Sequence, residues 1–264
     1  MEQKESSSIL YNLSAVDLLK ILGYTKPQTE NAVSVIAEFE KKYQKNVPNV
    51  LKEYILLAMD NPLLRTADIW TGGKSSPFWF FLYDSIEEMN QEEEEAYPEF
   101  AHSPRETWSE MVENYLEIGS DYSAGVVTFG IREVEMEKED PSVYIQHEAD
   151  EITEWNLFYQ TLSDYLLAVT CDALFGWEYS TSQMKLEENG WVYIEDAELG
   201  KREDLLLNYQ IDLSKLHKIQ SMYYEEPEER IACCYKEEEK LLFLIKIADE
   251  EENEIKVVVI KKER

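Results

Sequence analysis

Carboxylates are the side chains with which this sequence is best supplied for chemistry. Asp plus Glu number 55 against 25 Lys plus Arg, a formal charge of -30. The densest stretch runs from Asp84 to Asp121, where Arg105 stands alone among Glu87, Glu88, Glu92, Glu93, Glu94, Glu95, Glu99, Glu106 and Glu110. Among so many acids, close carboxylate pairs arise by number alone, so a glycosidase-type acid and base pair does not follow from them. Two readings of the Glu92 to Glu95 run stay open. One is a solvated face. The other is a patch that steers a basic partner and speeds its association, with Tyr97 and Trp108 as aromatic anchors. The candidate partner-binding set on that second reading is Glu92, Glu93, Glu94, Glu95, Tyr97, Glu99, Trp108 and Asp121.

Other reactive residues form no pattern. His102, His147 and His217 lack metal-ligand spacing on a helix or beside a Cys-x-x-Cys frame. Thr71-Gly72-Gly73-Lys74-Ser75-Ser76 lacks the leading glycine of a phosphate loop and reads as a surface turn. No nucleophile elbow or dinucleotide fingerprint is present. The expectation is a protein with no catalytic residue, no cofactor, no metal and no small-molecule substrate. Cys171, Cys233 and Cys234 make an odd count with one adjacent pair, a poor disulfide framework. In a strand, Cys233 and Cys234 point to opposite faces, so at least one belongs to a core.

The acidity disfavours nucleic acid and anionic membranes as partners and favours a basic protein, although charge can also serve solubility alone. The first residues, MEQKESSSIL, carry no apolar signal-peptide core. No apolar run approaches the roughly 20 residues of a membrane span. A reducing, cytoplasmic compartment is therefore expected.

The elements that must position these residues read as follows. Ser14 and Asp17 open a short helix that Gly23 ends. Val33, Ile36, Ala37 and Phe39 predict the buried side of a helix from Asn31 to Tyr43. Val47-Pro48 starts a third helix, with Val50, Leu51, Tyr54, Ile55 and Ala58 inward. Phe78 to Tyr83 reads as a strand. A strand–turn–strand–loop–strand unit spans Glu113 to Tyr144: a strand with Tyr115, Leu116 and Ile118 ends at Gly119, Ser120, Asp121 and Ser123 turn, Val126 to Ile131 returns, and a solvated run, Glu133 to Asp140, precedes Val143 to Ile145. Trp155 and Phe158 precede a helix from Thr161 to Leu174. The remainder offers short strands at Trp191 to Ile194, Ile231 to Tyr235, Leu241 to Ile247 and Lys256 to Ile260.

This order of elements resembles the SUKH superfamily, which includes bacterial immunity proteins against polymorphic toxins and a fungal cell-wall synthesis regulator. The resemblance covers about residues 31–174. It is carried by Ile36-Ala37-Glu38-Phe39-Glu40 with Val47-Pro48-Asn49-Val50-Leu51-Lys52-Glu53-Tyr54, then Ile118-Gly119-Ser120-Asp121 with Phe129-Gly130-Ile131. Pro141-Ser142-Val143-Tyr144, Trp155, and Leu162, Tyr165 and Leu166 complete it. Asp60-Asn61-Pro62 departs from the glycine-bearing turn of many members, and the insert and the tail lie outside the pattern. The resemblance implies an α+β fold, a central antiparallel sheet flanked by helices, here with a mainly β C-terminal extension. The domain reading is a helical lead-in at 1–28, an α+β domain at 29–176 with an acidic insert at 87–110, and an antiparallel meander at 177–264. The resemblance also implies binding: an immunity-type protein that neutralises a cognate, basic, nucleic-acid-targeting toxin domain. A regulatory or scaffold module for a host protein is the alternative, and an enzyme with an unrecognised carboxylate site is a more remote one.

Overall fold

The computed structural model describes residues 9–25, 30–59, 61, 90–91, 111–112, 114–121, 127–147, 155–175, 186–199, 201–221, 229–248 and 254–263. The chain is an α+β protein with antiparallel sheets and packed helices. The acidic insert and the Phe78 to Tyr83 stretch lie outside the described residues.

Helix α1 (Ala15–Leu22) begins where Ser14 accepts a hydrogen bond from the Asp17 amide at 3.1 Å while the Ser14 amide donates to the Asp17 carboxylate at 3.3 Å. That reciprocal cap satisfies two amides that a helix start leaves orphaned. Gly23 ends the helix at φ 107, a left-handed backbone that a side chain resists. In α2 (Glu30–Tyr43) the buried stripe is Ala32, Val35 and Phe39, with Ile36 half-buried, while Val33 and Ala37 face solvent. The expected face is thus corrected by a small rotation. Positions 32, 35, 36 and 39 keep helical spacing, and Ala32 counts as apolar despite its size. Helix α3 (Asn49–Ala58) buries Leu51, Tyr54, Ile55 and Ala58 as its pattern predicts, leaves Val50 only half-buried, and buries Leu57 as well. Helix α4 (Leu162–Phe175) starts where Thr161 accepts from the Asp164 amide at 3.2 Å and Asp140 from the Ser163 amide at 2.9 Å.

Among the described residues the N-terminal sheet has five strands, in the sequential order β2 (Met111–Val112), β3 (Tyr115–Asp121), β4 (Val127–Arg132), β5 (Val143–His147), β6 (Asn156–Tyr159). Two expectations are corrected here. Ser120 and Asp121 do not turn the chain but pair with Thr128 and Val127, because a bulge at Ile118 lets β3 continue past Gly119. Residues 156–159, expected only to precede a helix, form the edge strand β6. The run after β4 is less solvated than its charge suggests. It opens with a 3-10 turn, Glu133–Glu135, and Met136 is buried.

Among the described residues the C-terminal sheet has six strands. Its main path runs β1 (Ile9–Leu10), β9 (Arg230–Lys236), β10 (Leu241–Ile247), β11 (Ile255–Lys262), β7 (Trp191–Leu199), and β8 (Ile219–Gln220) also pairs with β9. The meander β9–β10–β11 matches the sequence reading. The strands β1 and β8 and the helix α5 (Arg202–Tyr209) were not legible there. A bulge between Val259 and Ile260 leaves Ile194 unpaired and half-exposed on β7.

Both faces of this sheet are buried. Cys233, Leu242, Leu244, Val258 and Ile260 join one large core with α1–α4 and with Leu116, Phe129, Ile131 and Ile145 of the N-terminal sheet. Ala232, Cys234, Phe243, Ile245, Val257 and Val259 form a second core with Leu205 of α5 and with Ile211, Leu213 and Leu216. Polar ties reinforce the shared core. The Tyr159 hydroxyl of β6 donates to the carbonyls of Gln220 and Ser221 at 3.1 and 3.2 Å. His217 meets Asp164 of α4 at 2.6 Å, and the Asn189 amide donates to the Tyr24 hydroxyl at 3.1 Å. The lead-in, the middle and the tail therefore pack around common apolar residues.

Candidate functional site

Pairing in the N-terminal sheet fixes which side chains share its outward face. Residues directly opposite one another lie on the same face. Since Leu116, Phe129, Ile131, Val143 and Ile145 point into the core, the alternate set points away from it. That set holds Tyr115 opposite Arg132, then Gly130 between Glu117 and Tyr144, then Leu157 opposite Tyr144. Thr128 and Gln146 follow.

These residues build an aromatic platform. Trp155, just before β6, lies flat on Tyr115, with ring centroids 4.2 Å apart and planes within 9°. Tyr115 meets Tyr144 edge-on at 5.6 Å. The Arg132 guanidinium sits over the Tyr144 ring at 4.3 Å and donates from Nε to the Tyr115 hydroxyl at 3.0 Å. The arrangement depends on Gly130. A Cβ there would stand 2.6 and 2.7 Å from the Trp155 ring, so only glycine lets the indole lie across the strand. The Trp155 indole N–H is buried without an acceptor. The ring is thus held by stacking, at the cost of one unpaired donor.

Exposure is graded over the platform. Tyr144 and Glu117 are covered, Tyr115 and Trp155 are half-buried, and Arg132 is exposed. Leu157 is 48% exposed on β6, and Val134, two residues past Arg132, is 84% exposed. The Tyr115 hydroxyl bond holds the Arg132 pKa above its ordinary value. Tyr, Trp and Arg are the residue types enriched where protein interfaces concentrate their binding energy.

Other titratable groups sit inside the scaffold. Thr170 donates to the Leu166 carbonyl at 2.7 Å, so the 2.9 Å contact between Thr170 and Tyr54 has Tyr54 as donor. Burial raises the Tyr54 pKa well above its usual value. Cys233 is raised by its hydrogen bond to Cys171 and by burial. Burial pushes Cys234 up to about 12. All three cysteines are free thiols. Among the described residues no group of His, Cys, Asp or Glu could hold a metal ion, and no helix is long and apolar enough to cross a membrane.

Of the sequence-predicted set, Glu92, Glu93, Glu94, Glu95, Tyr97, Glu99 and Trp108 lie outside the described residues. Asp121 ends β3, in register with Val127. Tyr115, Arg132, Tyr144 and Trp155 were not among the candidates. The available signal was period two: Tyr115 and Tyr144 fall out of phase with the aliphatic residues beside them, Leu116, Val143 and Ile145. Trp155 meeting Tyr115 had no such signal, because the contact depends on the fold. The chain matches no protein-family model, no curated protein and no solved structure.

Proposed function

We propose that this protein is a stoichiometric binding module of the immunity type, which neutralises a basic, nucleic-acid-targeting toxin domain by covering its surface. The observation that carries the reading is the outward face of the N-terminal sheet. There Tyr115, Tyr144 and Arg132 on the strands and Trp155 just before β6 hold one another in a fixed geometry, with exposed Leu157 and Val134 at the rim. Rigid aromatics give an interface contact area at small entropic cost. The charge of -30 supplies long-range attraction for a basic protein. The SUKH resemblance supports the same class of activity.

Affinity capture from the native cell at low and high salt, with partners identified by mass, tests this. One basic toxin-like partner, weakened by salt, is expected, because exposed charges are screened beyond about 8 Å at physiological ionic strength. A partner without basic character, or a complex indifferent to salt, overturns the electrostatic half of the reading. A housekeeping or cell-envelope partner replaces the immunity role with a regulatory one.

A further inference from the structure

We infer that the Arg132 corner of the platform is a carboxylate-recognition point, at which an aspartate or glutamate side chain of the protein partner makes a two-pronged ion pair. This rests on the proposed binding role and names the chemistry of one point in that interface.

In so acidic a chain a cation usually finds an internal acid. Lys20 pairs with Glu53, Lys45 with Glu133, Lys52 with Glu40, Lys138 with Glu135 and Lys246 with Glu229. Among the described residues no carboxylate pairs with Arg132. Its direct contacts are two phenol rings, the Tyr115 hydroxyl on Nε and the Tyr144 face beneath the guanidinium, while the Glu135 carboxylate adds a weaker through-space attraction without an ion pair. These contacts fix the plane of the group and engage one of its five N–H donors, so the terminal donors remain for a ligand. A planar fork of this kind matches the two oxygens of a carboxylate.

The aromatic bed matters for a second reason. Arginine stacked on a ring is pre-organised, so less side-chain freedom is lost when the fork engages. The acidic surface elsewhere repels carboxylates, so a presented arginine favours a register in which a basic partner's own acid meets it. The acidic surface attracts the partner, and Arg132 selects its orientation.

The test uses the full chain and a defined probe. An acetylated, amidated Glu-Phe dipeptide is titrated against its Gln-Phe counterpart at matched ionic strength, with the arginine Nε–Hε resonances read by NMR. A saturable shift of the Arg132 signal with Glu-Phe is expected, at least tenfold weaker with Gln-Phe; in Arg132→Lys, which keeps the charge but not the fork and has no Nε–Hε signal there, the accompanying shifts of the Tyr115 and Trp155 signals are expected to vanish. Equal shifts with both peptides, no shift with either, or an unchanged peptide response of neighbouring platform signals in Arg132→Lys overturns the inference. The titration needs no natural partner, so it fails or succeeds independently of the capture experiment. If capture succeeds but Arg132→Glu holds the partner as well as the wild type, carboxylate recognition falls and the binding role stands.

Discussion

In the C-terminal sheet, the central strands bury both faces, with Cys233, Leu242 and Leu244 on one side and Cys234, Phe243 and Ile245 on the other. In the N-terminal sheet, Leu116, Phe129, Ile131 and Ile145 enter the core, while Tyr115, Arg132 and Leu157 stand on the far face with full or partial exposure. Both sheets are antiparallel, and both contribute to one common core. The difference lies in what covers the second face. Helix α5 and the segment after it close the C-terminal sheet, whereas among the described residues the N-terminal sheet carries only a thin aromatic layer on its far face. On the proposed reading, one sheet is scaffold and the other is a display surface. An antiparallel sheet suits display because one packed face suffices to hold it.

The comparison can be broken at several points, the largest effect first. Phe243→Ala removes a fully buried ring that meets Tyr209 edge-on at 5.8 Å. A loss of about 3–5 kcal/mol is expected in urea unfolding, and a loss under about 1 kcal/mol would show that the second core is not structural. The buried thiol gives a second handle. Cys234 ionises at 9.0 in an ordinary setting but at about 12 here. Above pH 9 the unfolded chain therefore holds fewer protons than the folded one, and stability falls as pH rises toward 12. The slope from this group is about 1.4 kcal/mol per pH unit. Cys234→Ala should flatten the decline in urea midpoints, and an unchanged slope would count against the burial of Cys234.

Gly130→Ala acts on the display side. Its new Cβ displaces the Trp155 ring, and about 1–3 kcal/mol is expected from the resulting strain, with a change in near-ultraviolet circular dichroism from the lost Trp155–Tyr115 stack. An unaltered aromatic spectrum would refute the stack. Tyr159→Phe removes the hydroxyl that ties β6 to Gln220 and Ser221. A cost of about 1 kcal/mol and faster amide exchange in β8 are expected, and unchanged exchange would mean the apolar contacts alone join the two sheets. Smallest in stability is Arg132→Glu, an exposed change that loses the Tyr144 and Tyr115 contacts at a cost expected to stay under about 1 kcal/mol, while its larger effect falls on binding.

Local signals in the sequence predicted the local elements well. The Ser14–Asp17 cap, the Gly23 stop and the Cys233/Cys234 alternation are short-range rules, and the structure obeys them. The continuous apolar runs 241–245 and 257–260 mark strands covered on both faces. What failed needed distant partners. The two-residue strands Ile9–Leu10 and Ile219–Gln220 exist because β9 offers them an edge. The face of α2 turned on counting Ala32 rather than Val33. The platform required Trp155 and Tyr115 to meet over Gly130, a contact between segments far apart in sequence. Strand Tyr115–Asp121 ran two residues past its expected end because a bulge, which leaves no clear mark in sequence, carried it on.

The most direct test of the display-surface account is affinity capture with three full-length baits: wild type, Arg132→Glu on the N-terminal sheet, and Leu207→Glu on α5, where Leu207 is already 79% exposed. The account predicts that wild type and Leu207→Glu hold the same partner and that Arg132→Glu loses it. Retention by Arg132→Glu together with loss from Leu207→Glu would contradict it and place the interface on the C-terminal side.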